Sequence, residues 1–186
     1  FNTPTRMSIF TYHGEVDTTM TPMDSIKYYK SFLRTGFMSI CPQNGHVKAY
    51  VGGLDFSHFA YDMVMEGRRQ VGSTIKPLLY SLAMENGFSP CDEAPNVQQT
   101  YMVAGKPWTP RNSGRARYGQ MVTLKWGLQQ SNNWISAYLL SQLSPHLFVK
   151  LLHDFGIQNQ DIHPSLSLCL GPCDISLAEM VGAYTA

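Results

Sequence analysis

Two short groups of residues in this chain could do chemistry: Ser73-Thr74-Ile75-Lys76 and, further on, Ser131-Asn132-Asn133. Residues three apart on a helix lie one turn from each other on the same face, so the Lys76 stem can reach the Ser73 hydroxyl. The serine thereby gains a base without a histidine, and the two groups together read as the nucleophile half of a serine acyltransferase. Lys76 must lose its proton to act as that base, and from an ordinary pKa of about 10.4 this costs roughly 4 to 5 kcal/mol at neutral pH. The site is therefore expected to be partly dry. Val71, Ile75, Leu78 and Leu79 are placed to exclude water, and Arg68 and Arg69 to add positive potential. Taken singly, Ser73 reads equally as a helix cap and Lys76 as a solvated first-turn residue. The conjunction of SxxK with SxN, each occurring once, favours the catalytic reading.

The elements that must position these residues are legible around them. Gly72-Ser73 opens a helix whose apolar positions Ile75, Leu78, Leu79, Leu82 and Ala83 recur at helical spacing until Asn86-Gly87 stops it, giving a helix over 73–86. Pro77 is tolerated only near a helix start, which pins Ser73 to the first turn and makes its N–H a candidate donor to a developing oxyanion. Upstream, residues 36–41 and 46–51 flank Asn44-Gly45 and predict a β-hairpin over 36–52. Residues 1–35, with Pro4, Gly14, Pro22 and several threonines, suggest an extended connector ending in a short helix at 24–33. From 88 to 121 runs a proline-bearing loop, and loops of this length inside a compact domain are usually functional.

Residues 123–186 read as a helical block. Thr123 caps a helix over 124–130, Asn132 to Leu143 carries an apolar stripe, and Ser131 falls at the junction between the two. Ser144-Pro145 opens a further helix closed by Gly156, and Ser176-Leu177-Ala178-Glu179 is a capping box for the last one. The fold class is α+β.

Composition narrows the rest. At 186 residues, 44% hydrophobic and 15% charged, the chain has enough apolar content for a real core. A net charge of +1 with no basic run argues against nucleic acid as a partner. No stretch approaches the roughly 18 to 20 apolar residues of a membrane span. Cys41, Cys91, Cys169 and Cys173 lack zinc-ligand spacing and the histidines make no HExxH, so neither a metal nor a cofactor is called for. Cys169 and Cys173 can pair in an oxidising compartment or remain reduced and buried.

The chain resembles the class A, bifunctional penicillin-binding proteins in their transpeptidase domain. Arg69-Gln70-Val71-Gly72-Ser73-Thr74-Ile75-Lys76-Pro77 is similar to the family's block around its nucleophile. Trp108-Thr109-Pro110-Arg111-Asn112, Tyr118-Gly119, Val122-Thr123-Leu124, Ser131-Asn132-Asn133 and the stretch from Ser167 to Tyr184 follow in the family's order. The resemblance implies the penicillin-binding transpeptidase and serine beta-lactamase-like fold, with the hairpin as part of the central antiparallel sheet beside a mainly helical subdomain. It also implies a peptidoglycan D,D-transpeptidase that forms an acyl-enzyme on D-Ala-D-Ala stem peptides and binds penicillin covalently.

In that reading Ser73 is the nucleophile, Lys76 its base and Ser131 a proton relay to the leaving group. Asn133 binds substrate, Asn132 packs its loop, and Trp108 and Tyr118 are either ligand-facing aromatics of the cleft border or packing residues. The implied partners are peptidoglycan strands derived from lipid II, beta-lactam antibiotics and other cell-wall synthesis proteins. The implied place is the periplasmic side of the bacterial inner membrane, with any membrane contact made by an anchor upstream. The family's third motif, a Lys-Thr-Gly or Lys-Ser-Gly triplet, does not occur. The expectation is therefore a partial transpeptidase domain over 36–186 behind a connector over 1–35, with little activity of its own. Two alternatives remain: a non-catalytic peptidoglycan-binding or scaffold module, and a serine beta-lactamase. For the latter, Glu179 is the sole glutamate after Ser131 and lacks the deacylating block around it.

Overall fold

The computed structural model describes residues Phe1–Ala186. Its first segment departs from the extended connector expected there. Strands β1 (Thr5–Thr11) and β2 (Gly14–Met20) pair antiparallel from Thr5↔Met20 to Thr11↔Gly14, and helix α1 (Pro22–Ser31) follows. The threonines that suggested a connector are β-favouring residues on a largely exposed ladder, and the turn at Tyr12-His13 closes onto Gly14, which opens β2 at φ +114°. Thr21 caps α1 by accepting from the Asp24 N–H.

This segment is held to the rest by an aromatic cluster. Phe10 lies edge-to-face on Phe59, with centroids 5.2 Å apart, and on Phe32 at 5.3 Å. His58 stacks on Tyr29 while its two ring nitrogens face carboxylates, Nε2 to Glu15 at 3.2 Å and Nδ1 to Asp55 at 3.1 Å.

Strands β3 (Phe37–Ile40) and β4 (Val47–Val51) form the hairpin expected around Asn44-Gly45, with Gly45 at φ +70°. Its outer face leaves Phe37, Val47 and Val51 exposed. Strand β5 (Arg68–Gln70) leads into a 3₁₀ turn, Gly72–Ile75, and then helix α2 (Lys76–Glu85). The single helix read from 73 to 86 is thus split in two. Pro77 has no N–H to give, so it fits the α-helix only as an opening residue, and the chain before it tightens into a 3₁₀ turn.

Strands β6 (Glu93–Pro95), β7 (Tyr101–Val103), β8 (Lys106–Trp108) and β9 (Met121–Thr123) organise the loop-rich stretch. β6 pairs with β9 and β7 with β8. Helices α3 (Leu124–Gln129), α4 (Asn133–Gln142) and α5 (Pro145–Asp154) follow, then a 3₁₀ turn at Leu166–Leu170, strand β10 (Asp174–Ser176) and helix α6 (Leu177–Ala183). The Ser176–Glu179 capping box opens α6 as its sequence indicated.

The core sits between α2, α4 and α5. Leu78, Leu79 and Leu82 of α2 pack with Ile135, Leu139 and Leu140 of α4, Phe148 and Leu152 of α5, and Leu168 beneath them. Burying a leucine of this kind is worth roughly 1.5 to 3 kcal/mol, so the α2–α4 contact is what fixes SxxK against SxN. The result is α+β, a helical block flanked by short antiparallel pairs.

Candidate active site

Ser73 is delivered by β5 and its partner β10, whose rungs are Arg68↔Ser176, Arg69↔Ile175 and Gln70↔Asp174. The pairing runs on past the strands, with Val71 N–H donating to Cys173 O and Gly72 N–H to Gly171 O. Gly72 is left-handed, at φ +54°, and throws the chain from strand into turn. Ser73 is therefore exposed at a first-turn position, where its N–H has no partner inside the turn.

Lys76, one turn on, is only 1% exposed. Its Nζ donates to three oxygens: the Ser131 carbonyl at 2.6 Å, Ser131 Oγ at 3.0 Å and Asn133 Oδ1 at 2.7 Å. Burial pulls its pKa down from 10.5 to about 8, while the three acceptors favour the ammonium form. Cys169 adjoins this site, and burial pushes its thiol up to about 12, leaving it neutral beside the lysine.

Ser131 faces Lys76 because of how α3 ends. Its own N–H donates to Leu128 O and the Asn132 N–H to Gly127 O, the paired bonds of a Schellman helix stop. That motif requires a left-handed residue, usually glycine; here Ser131 takes it at φ +49°. Both Ser131 oxygens turn toward the ammonium as a result.

Four asparagine side chains hold this arrangement. Buried Asn96 donates to the carbonyls of Ala116 and Arg117 and accepts from Asn132 Nδ2 at 2.8 Å. Asn132 Oδ1 caps α4, accepting from Trp134 and Ile135 N–H, and also receives Asn112 Nδ2. Asn112 Oδ1 receives the Asn133 N–H at 2.7 Å, and Asn133 Nδ2 donates to Arg111 O at 2.6 Å.

Above this floor lies a cleft of about 250 Å³ lined by Ser73, Ser131 and Asn133 together with Asn112, Trp126 and Gln130. The four residues singled out by motif thus converge, although Lys76 is bonded to the SxN segment and makes no hydrogen bond to Ser73 Oγ. Trp108 and Tyr118 do not line the cleft. Trp108 packs on the core against Tyr101, with centroids 6.2 Å apart, and Tyr118 lies edge-on to Trp134 at 5.4 Å. Both sit beside their neighbours rather than over the cleft, and Trp126 of α3 supplies the lining aromatic. Asn96 and Asn112 were not singled out as functional, because partners so distant in sequence leave no local pattern.

A fold with an exposed serine at the head of a core helix, a buried lysine behind it and an SxN turn bonded to that lysine defines a class. The chain belongs to the penicillin-binding protein transpeptidase family: the family's model, described as penicillin binding protein transpeptidase domain, matches residues 35–165. A second model, penicillin-binding protein middle domain, matches residues 1–33.

Among particular proteins, the chain is similar to penicillin-binding protein 1A of Escherichia coli strain K12, 33% identical over 155 residues covering 82% of this chain and 18% of that protein. It is likewise similar to penicillin-binding protein 1A of Pseudomonas aeruginosa, 30% identical over 155 residues, 82% of this chain and 19% of that one. The crystal structure of penicillin-binding protein 1A from Haemophilus influenzae superposes with a TM-score of 0.76 at 29% identity, covering 82% of this chain and 23% of that chain. The chain therefore spans about a fifth of the length of these relatives.

Proposed function

We propose that this chain carries the acylation site of a peptidoglycan D,D-transpeptidase and that Ser73 is the residue acylated. The observation that carries the reading is Lys76, a buried amine bonded to Ser131 and Asn133 at the base of the cleft that Ser73 lines. Ser73 Oγ attacks the penultimate D-Ala carbonyl of a stem peptide and its proton passes to neutral Lys76. A tetrahedral oxyanion forms beside the Ser73 N–H, at the positive end of the turn. When the C–N bond breaks, Ser131 Oγ, 3.0 Å from Nζ, relays the proton to the departing D-Ala amine. An amine of a neighbouring strand then attacks the ester carbonyl, its proton passing through Lys76 to Ser73 Oγ as that oxygen leaves. Asn133 still has one Nδ2 hydrogen to offer a ligand carbonyl, since Arg111 O takes the other.

A penicillin acylates the same serine and remains there. Peptidoglycan as substrate places the intact protein in the bacterial cell envelope, facing the wall, with residues 36–186 as part of its transpeptidase domain. No helix in the structure is long and apolar enough to cross a membrane.

The test is intact mass spectrometry with peptide mapping after incubation of the full-length protein with benzylpenicillin, beside a Ser73→Ala control. A persistent adduct on Ser73 that the control lacks supports the reading. No adduct on the wild-type protein overturns it in favour of a non-catalytic scaffold, and an adduct lost within seconds points to a hydrolase.

A further inference from the structure

Part of the cleft lining comes from the loop 111–117, Arg111-Asn112-Ser113-Gly114-Arg115-Ala116-Arg117. Asn112, Ser113, Gly114 and Ala116 line the cleft directly, so each arginine sits next in sequence to a lining residue. The arginines are exposed, and none of the six ion pairs in the structure includes them. No acidic side chain lines the cleft to offset them. The lining itself is uncharged, so the three arginines form a positive rim beside it, and a rim of one sign raises the local concentration of ligands of the other sign.

Nor is this loop a solvated tail. Asn96, fully buried, clamps it from beneath through the carbonyls of Ala116 and Arg117, both at 2.9 Å, and its own carbonyl receives the Gly119 N–H. Arg117 is held left-handed at φ +53°, an unusual conformation for a long side chain, with its guanidinium over Trp126 at 5.5 Å. Trp126 itself lines the cleft. At the other end, Asn112 and the Arg111 carbonyl are bonded to Asn133. The positive loop is therefore fixed on the side of the cleft where Asn133 meets the acyl group of a ligand.

We infer that the 111–117 loop is a specificity element that selects acyl donors bearing an additional carboxylate on the acyl side of the reacting carbonyl, an inference that rests on Ser73 being the acylated serine. Its ligands are anionic peptides ending in D-Ala-D-Ala and beta-lactams with an anionic side chain. The attraction is a surface effect: strong at low ionic strength, weak once the Debye length falls to about 3 Å near 1 M salt.

Benzylpenicillin and its α-carboxy derivative differ by one side-chain carboxylate, and the ratio of their acylation rates isolates its effect from every cost the two share. The ratio is measured on the full-length protein, on Arg111→Gln/Arg115→Gln/Arg117→Gln, and on the corresponding triple lysine variant. The expected result is a fall of about three- to tenfold in the carboxy-to-parent ratio in the glutamine variant, recovery in the lysine variant, and a similar fall for wild type in high salt. A ratio indifferent to both the glutamine substitutions and salt overturns the inference. The salt series on wild type decides the matter even where the triple variant does not fold. Absence of acylation by benzylpenicillin in the wild type is a different result: it removes the serine reading, and the specificity role falls with it.

Discussion

Gly171 and Gly72 meet backbone to backbone: a Cβ on Gly171 would lie 2.2 Å from the Gly72 carbonyl oxygen and 2.7 Å from its nitrogen. Gly171 is also left-handed, at φ +64°, so any side chain there adds strain to collision. Gly171→Ala must push Gly72 outward, and Ser73 follows it. The expected outcome is a loss of more than about 2 kcal/mol in denaturant unfolding together with a penicillin acylation rate at least tenfold lower. Wild-type acylation in this variant would show that the 171–173 segment does not position the serine.

The proposed role of Lys76 as base implies a pH dependence. With its pKa drawn from 10.5 to about 8 by burial, the base form accumulates as pH rises through 8, so acylation should climb over pH 7–9 and level off above. The stability effect has a definite sign. Between about pH 8 and 10.5 the folded protein has released a proton that the unfolded chain retains, so this residue's contribution to stability rises with pH across that window and is least favourable below it. Comparing acylation and urea midpoints of the wild type with Lys76→Met tests both; a flat acylation profile would exclude Lys76 as the titrating base.

Ser131 separates stability from function. Ser131→Gly relaxes the left-handed position at φ +49°, a gain of about 1 kcal/mol, while losing a hydrogen bond of about the same worth to Lys76. The melting temperature should move by only a few degrees and acylation should fall at least tenfold. Ser131→Val, β-branched in the same conformation, should unfold well below both. Calorimetry on the pair checks the order.

His58, in the loop after β4, ties that loop to the 1–33 segment through Glu15 and Tyr29, while Asp55 of its own loop holds the ring. His58→Ala leaves both carboxylates without that partner and removes the stack on Tyr29, at a cost of about 1 to 2 kcal/mol. Limited proteolysis should then cut between 20 and 36 faster than in the wild type, with the 76–154 helices untouched.

Much of this was legible from local signals. Asn44-Gly45 marked the β3–β4 turn, Pro77 and the leucine spacing marked α2, and Ser131 fell at a helix junction because Asn132 is a strong cap. These features act over a few residues, and short patterns record them. The β1–β2 hairpin escapes a local reading because its alternation, Arg6-Met7-Ser8-Ile9 and Glu15-Val16-Asp17, is brief and lies among threonines, Gly14 and Pro22 that also suit a connector. Trp108 and Trp126 show the other gap. Which of two aromatics faces a cleft depends on how α3 and the β7–β8 hairpin lie on the core, and that is settled by packing across the chain.

The four asparagines under the cleft form a sentence that can be read in one direction only. Asn96 spends its amino group on two carbonyls and so must offer its oxygen to Asn132; Asn132 spends its oxygen on the α4 cap and so must offer its amino group back. Asn112 is oriented by the Asn133 N–H in the same way, and Asn133 by Lys76. No single amide can turn over without setting like atoms against each other, so the grammar of hydrogen bonding leaves the lysine one grip and the loop above it one shape.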